Sequence, residues 1–85
     1  MNYTVYILYS QSRDKYYIGY TQNPTERLTE HNAGATASTR SGIPWIIVYK
    51  EEFVVKTAAI KRENAIKKMK SRKYIERLVI EYSIG

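Results

Sequence analysis

The strongest constraint on this chain lies in its first 21 residues, where two β-forming runs flank five polar positions. Tyr3-Thr4-Val5-Tyr6-Ile7-Leu8-Tyr9 is dominated by β-branched and aromatic residues, the composition of a strand. Lys15 to Thr21 has the same character. Ser10 to Asp14 is short and polar, which predicts a hairpin turn and antiparallel pairing of the two strands. Gly19 weakens the second strand unless another group must come close to its backbone. A lone hairpin is not stable in water, so the rest of the chain has to cover it.

The following residues supply that cover. Asn23-Pro24-Thr25-Glu26 predicts a helix start: asparagine caps, proline suits the first helical position, and Glu26 sits where a capping-box acid reaches back. This helix carries Arg27, Leu28 and His31 and is expected to stop before Gly34. Ala33 to Gly42 is small and polar and reads as an exposed loop. Pro44 opens a third strand, Trp45 to Tyr49, followed by charges and then Phe53-Val54-Val55. Thr57 is expected to cap a second helix reaching about Lys70, and Ser71 a third ending near Ile80. At about 100° per residue, Ala58, Ala59, Ala65, Ile66 and Met69 share one face of the second helix. Tyr74, Ile75 and Leu78 form the stripe of the third. The expected architecture is α+β: a small three-stranded antiparallel sheet with three helices packed around it, in the order β-β-α-β-α-α, as a single domain over 1–85.

Composition narrows the chemistry. With no cysteine and one histidine, a disulfide framework, a thiolate metal site and a multi-histidine zinc site are excluded. A divalent ion bound through oxygen ligands and water remains open. Neither a signal peptide nor a membrane-spanning run is evident, and a cytoplasmic protein is expected. The net charge is +6 and unevenly spread: from Lys56 to Arg77 there are nine Lys or Arg against two glutamates. That imbalance suits a polyanion, since phosphate contacts dominate non-specific nucleic-acid affinity, and it also suits a solvated helix face. Nine tyrosines add stacking surfaces and hydroxyls.

Three features invite a chemical reading, and each has a plainer one. Glu63 falls at the border of the apolar stripe, where a carboxylate is costly unless it pairs or binds a cation; pairing with Arg62 or Lys67 is the plainer role. Arg27 and His31 are four residues apart and share a helix face, able to hold a phosphate and move a proton, or simply to face solvent. Tyr6 and Tyr17 lie on paired strands, where a phenol can serve in acid–base work or simply pack.

Taken together, Thr4-Val5-Tyr6, then Tyr17-Ile18-Gly19 after a short hairpin, then Arg27 and His31 on a capped helix, then Glu63 on a later one, resemble the GIY-YIG nuclease superfamily. The second motif is present verbatim, and Tyr20 to Asn32 resembles the stretch that follows it in small stand-alone bacterial members. The likeness runs from about Tyr3 to Leu78. Thr4 stands where the first motif calls for glycine, while its tyrosine, Tyr6, is retained.

The resemblance implies a metal-dependent endonuclease acting on phosphodiester bonds in DNA, in repair or recombination. It implies catalytic roles for Tyr6, Tyr17, Arg27, His31 and Glu63, with Glu63 holding one Mg²⁺ or Mn²⁺. Arg27 would neutralise charge at the phosphate, and Tyr6 or Tyr17 would handle the attacking water, with His31 taking the proton. Arg40, Lys61, Lys67 and Lys68 are candidate contacts to the DNA backbone. A partner protein supplying specificity is also implied, since larger relatives take specificity from attached or associated domains. The alternatives are a nucleic-acid-binding module that keeps the fold without catalysis, and a protein-interaction domain that meets an acidic partner.

Overall fold

The computed structural model describes residues 2–85; Met1, the first residue of the expected domain, lies outside the described residues. Three strands, β1 (Tyr3–Ser10), β2 (Lys15–Thr21) and β3 (Trp45–Phe53), form one antiparallel sheet in the order β2-β1-β3. Helices α1 (Pro24–Asn32), α2 (Lys56–Met69) and α3 (Arg72–Ile84) pack around it. This is the expected α+β architecture, with the hairpin and the strand–helix order as read from the sequence.

The first strand is central and is buried on both faces. Val5, Ile7 and Leu8 are fully buried and Tyr6 nearly so. Side chains alternate along a strand, so Val5 and Ile7 enter one layer while Thr4, Tyr6, Leu8 and Ser10 enter the other. The first layer is a cluster of Val5, Ile7, Ile18, Tyr49, Ala59 and Ile66, closed over by Tyr74, Ile75, Leu78 and Val79 from α3. The second is smaller: Tyr6, Leu8 and Trp45 pack with Tyr17, Leu28, Ile43 and Ile47. Register carries the same division across strands, pairing Ile7 with Ile18, Leu8 with Tyr17, and Tyr6 with Gly19. Between Ile7 and Leu8 the pairing with β3 shifts by one residue, so Ile7 faces Tyr49 and Leu8 faces Ile47.

The helix caps are local. The Asn23 side chain accepts from the Glu26 backbone N–H at 3.1 Å, and its amide donates to the Glu26 carboxylate at 3.3 Å. The Ser71 hydroxyl likewise accepts from the Tyr74 N–H at 3.2 Å. The start of α2 differs from expectation: Val55 occupies the cap position with no side-chain cap, and Thr57 lies inside the helix. The expected apolar face of α2 is also narrower. Only Ala59 and Ile66 are buried, Ala65 is exposed and Met69 is 53 % exposed. The helical period places residues on one face, and only the part of that face that meets the sheet is buried. The third helix extends to Ile84, beyond the expected end near Ile80.

The largest correction concerns Ala33 to Gly42. Ala37–Gly42 forms a 3₁₀ helix, and Thr39 and Gly42 within it are buried. Its anchors come from distant elements. The Trp45 indole N–H donates to the Thr39 carbonyl at 2.7 Å, and the Trp45 ring lies so close to Gly42 that a Cβ there would collide with it. Asn32 clamps the Trp45 backbone with two bonds, accepting from its N–H at 2.7 Å and donating to its carbonyl at 3.0 Å.

Candidate active site

The smaller layer of the fold gathers polar groups. The Tyr6 ring lies flat across Gly19, the residue opposite it in the sheet, and a Cβ at Gly19 would come within 2.7 Å of the Tyr6 hydroxyl oxygen. Here is the close approach that a glycine inside a strand signals. That hydroxyl lies 3.1 Å from His31 Nε2, and His31 Nδ1 lies 2.8 Å from the Thr39 hydroxyl. His31 is fully buried, so the solvent-facing reading of this residue does not hold. Tyr17 packs edge-on against the His31 ring with centroids 5.0 Å apart, and 6.4 Å from the Tyr6 ring.

Arg27, one turn before His31 on α1, is partly exposed. Its guanidinium donates to Glu30 at 2.8 Å and to the Thr36 hydroxyl at 3.3 Å. It borders a cleft of about 180 Å³ lined by Thr21, Gln22, Asn23, Glu26, Arg27 and Glu30. Glu63 on α2 has a side chain only 13 % exposed, with Oε2 3.0 Å from the Lys67 ammonium. The pairing with Lys67 is therefore real, and the pairing with Arg62 is not. Arg62 turns instead to Glu51 at 2.8 Å and to the Tyr74 hydroxyl at 3.2 Å, fastening α2 to β3 and α3.

The charges converge on Tyr6. Burial pushes its hydroxyl up to about 12, the Arg27 guanidinium pulls it down, and Tyr17 and Glu63 push it up again. Tyr6, Tyr17, Arg27 and Glu63 thus share one electrostatic neighbourhood, and Tyr6 rests as a neutral phenol. Burial lowers the pKa of His31, and the Arg27 charge lowers it further against the opposing pull of Glu30. A neutral imidazole beside a neutral phenol is suited to passing a proton rather than storing a charge.

The remaining candidates lie apart from this cluster. Arg40, on the 3₁₀ helix, is tied by its Nε to the Gly34 carbonyl at 3.0 Å. Lys67 is half exposed beside Glu63, while Lys61 and Lys68 are exposed and join no ion pair among the described residues. Thr36 and Thr39 were missed by sequence reasoning. Two threonines in a small-polar stretch carry no signal of their own; the clue was His31, since a buried imidazole needs a partner for each nitrogen.

The donor set decides which ions fit. Among the described residues, no group of three or more His, Cys, Asp or Glu side chains is arranged to hold a metal. One nearly buried carboxylate, completed by water and substrate phosphate oxygens, is an ordinary arrangement for Mg²⁺. Glu63 fits that pattern, and both nitrogens of His31 are already engaged.

A hairpin tyrosine packed over a glycine, a second tyrosine and a buried histidine beside it, and an arginine one helical turn away together match a known catalytic domain. The chain belongs to the GIY-YIG catalytic-domain family, whose sequence model matches residues 2–75. Within that family it is similar to the UPF0213 protein of Natronomonas pharaonis, 44% identical over 78 residues that cover 91% of this chain and 89% of that protein. The solution NMR structure of a UPF0213 protein from Bacillus halodurans superposes with a TM-score of 0.59 at 34% identity, covering 93% of this chain and 83% of that one. The chain is also similar to the structure-specific endonuclease subunit SLX1 of Chaetomium globosum, 40% identical over 88 residues. That match covers 92% of this chain and 27% of the subunit.

Proposed function

We propose that this protein is a divalent-metal-dependent endonuclease that hydrolyses phosphodiester bonds in DNA. The observation that carries the reading is the buried Tyr6 hydroxyl packed over Gly19, 3.1 Å from His31 Nε2, with Tyr17 packed edge-on against the same imidazole. Glu63 would hold one Mg²⁺ or Mn²⁺, which when bound supplies positive charge to the scissile phosphate and the leaving oxygen. Arg27, a permanent cation at the rim of the cleft, neutralises charge that develops on the phosphate. Tyr6 accepts the proton of the attacking water while its own proton moves to His31. Tyr17 packs the imidazole in place. Arg40, Lys61, Lys67 and Lys68 contribute contacts to the DNA backbone, the last three from α2.

Branched or nicked DNA of repair and recombination, met in the cytoplasm, is the substrate class we favour. The similarity to SLX1, a structure-specific endonuclease subunit, supports this substrate class and a partner that supplies specificity. One observation favours a pure DNA-binding module instead: the Glu63 carboxylate is already neutralised by Lys67. Cleavage of single-stranded, branched and nicked DNA in Mg²⁺ or Mn²⁺, with Glu63→Gln alongside, separates the two. Glutamine keeps the shape of the side chain and loses the charge that attracts the ion. Cleavage is expected to fall by at least about 10²–10³-fold, with DNA retention at low salt intact. Wild-type cleavage by Glu63→Gln would end the metal assignment.

A further inference from the structure

We propose that Thr39 is a positioning residue: its hydroxyl fixes which nitrogen of His31 carries the proton, and so the direction in which Tyr6 aims its own. The consequence for catalysis rests on the endonuclease reading above, while the hydrogen-bond assignment stands without it.

A neutral imidazole has one donor nitrogen and one acceptor nitrogen. The chain Tyr6–His31–Thr39 can therefore run in only two directions. The Thr39 hydroxyl oxygen lies 3.3 Å from the Thr36 carbonyl oxygen, which can only accept. With the hydroxyl hydrogen placed there, Thr39 accepts from His31 Nδ1–H at 2.8 Å, and the bare Nε2 accepts from the Tyr6 hydroxyl at 3.1 Å. Every hydrogen then has a partner, and no buried side-chain nitrogen or oxygen among the described residues is left unpaired. In the reverse direction Nε2–H points at the Tyr6 oxygen, the Tyr6 hydrogen has no side-chain acceptor within hydrogen-bond distance and is left to water, and the Thr36 carbonyl loses the Thr39 hydroxyl. A chain closed by fixed protein groups at both ends is held more firmly than one that gives up an end to solvent. The first direction wins.

Thr39 is well placed to enforce this. It is 1 % exposed, and its carbonyl is held by the Trp45 indole. Thr36, three residues earlier, takes a hydrogen bond from Arg27. One short 3₁₀ segment thus ties the arginine, the histidine and, through it, the tyrosine.

The chemical consequence follows from the direction. With its hydrogen on His31, Tyr6 turns its lone pairs away from the imidazole, and the Tyr17 ring lies beside it with centroids 6.4 Å apart. There it takes a proton from water only as it hands its own to Nε2. The water O–H bond breaks, the phenol stays neutral, and an imidazolium forms whose Nδ1–H is still held by Thr39. The hydroxide left behind attacks phosphorus as the P–O bond to the leaving oxygen breaks; that oxygen takes a proton from solvent, and His31 later returns its extra proton to solvent through Tyr6. Thr39 itself touches no reacting atom.

The test follows the His31 ring nitrogens by long-range ¹H–¹⁵N NMR in the full chain, beside cleavage of branched DNA in Mg²⁺. The wild type is expected to carry its proton on Nδ1. Thr39→Val removes the acceptor at nearly constant shape; the proton should move toward Nε2, and kcat should fall about ten-fold or more with KM for DNA unchanged, a fraction of what a positioned acid–base group supplies. Thr39→Ser should restore both. A wild-type proton on Nε2, an unmoved proton in Thr39→Val, or a moved proton with undiminished cleavage each overturns the proposal. If Thr39→Val does not fold, the wild-type and Thr39→Ser spectra still decide the assignment. If the wild type cuts no DNA, the endonuclease reading fails on its own and the nitrogen signals still judge Thr39.

Discussion

The two faces of the sheet are built from alternate residues of the same strand, yet they obey different rules. Beneath α2 and α3, the buried residues of the layer are Val5, Ile7, Ile18, Tyr49, Ala59 and Ile66, with little that needs a hydrogen bond. On the other face, Thr4 and Ser10 are buried on the strand, and His31 and Thr39 are buried above it. All four buried polar residues among the described ones therefore lie on the site's side. The apolar face stabilises the fold through area removed from water. The polar face gives part of that up for fixed directions, since a satisfied buried network holds its groups in one arrangement. The two-residue period of β1 thus separates the apolar layer from the buried polar network; of the candidate catalytic residues, Glu63 alone sits on a helix of the apolar side.

The largest effect expected from breaking this division is on the apolar side. Ile66→Ala should cost about 2–5 kcal/mol of stability in urea titrations, with cleavage per folded molecule unchanged. A variant of normal stability and reduced activity would show that α2 is not the stabilising layer. Gly19→Ala should be intermediate and mixed in kind. Its methyl would displace the Tyr6 ring, costing about 1–3 kcal/mol and lowering kcat out of proportion to the folded fraction. Unimpaired cleavage by this variant would mean that the ring position is not needed.

A smaller effect is predicted for pH. The pKa of His31 is lowered in the fold, by burial first and the Arg27 charge second. A base that resists protonation only when folded contributes stability that is full above its unfolded value, about 6.5. That stability is lost as pH falls from there through the folded value. Urea midpoints should therefore drop between about pH 7.5 and about pH 5, and His31→Gln should flatten the drop. Equal pH dependence in the two proteins would put the titration elsewhere. The smallest change is expected at Lys67, half exposed beside Glu63. An exposed i, i+4 pair contributes only about 0.3–0.5 kcal/mol, so Lys67→Met should tighten Mn²⁺ binding by no more than about two- to three-fold. Weaker binding in calorimetry would show that the ammonium supports the ion rather than competing with it.

What the sequence revealed was mostly local. The hairpin, the Asn23 and Ser71 caps and the strand order are written in neighbouring residues, and the structure repeats them. The neighbourhood of Arg27 and His31 followed from a four-residue spacing. Which of the two would be buried did not follow, because that depends on Thr39 and Trp45, residues of other elements. The 3₁₀ helix was misread for the same reason. Thr36 to Gly42 has the composition of a solvated loop, and only the tertiary partners of Thr39 and Gly42 draw it inward. Met69 and Ala65 fit the helical period, but period does not say where a helix leaves its sheet. Glu63 was legible as an oddity, while which of its two candidate partners it pairs with required the fold.

The central position of β1 also shapes how the protein is made. One neighbour, β2, follows within a few residues, but the other pairs Tyr3 with Phe53 across 50 positions (53 − 3 = 50). On the ribosome the hairpin can close early, while the second edge of β1 waits for β3 and its apolar face waits for α2 and α3. Distant pairings of this kind form late because a long loop must close before any contact rewards it. Through that interval the most apolar strand of the chain offers open backbone hydrogen bonds to any other strand it meets. The residues that define the finished core are thus the ones most open to intermolecular pairing while the chain is still growing.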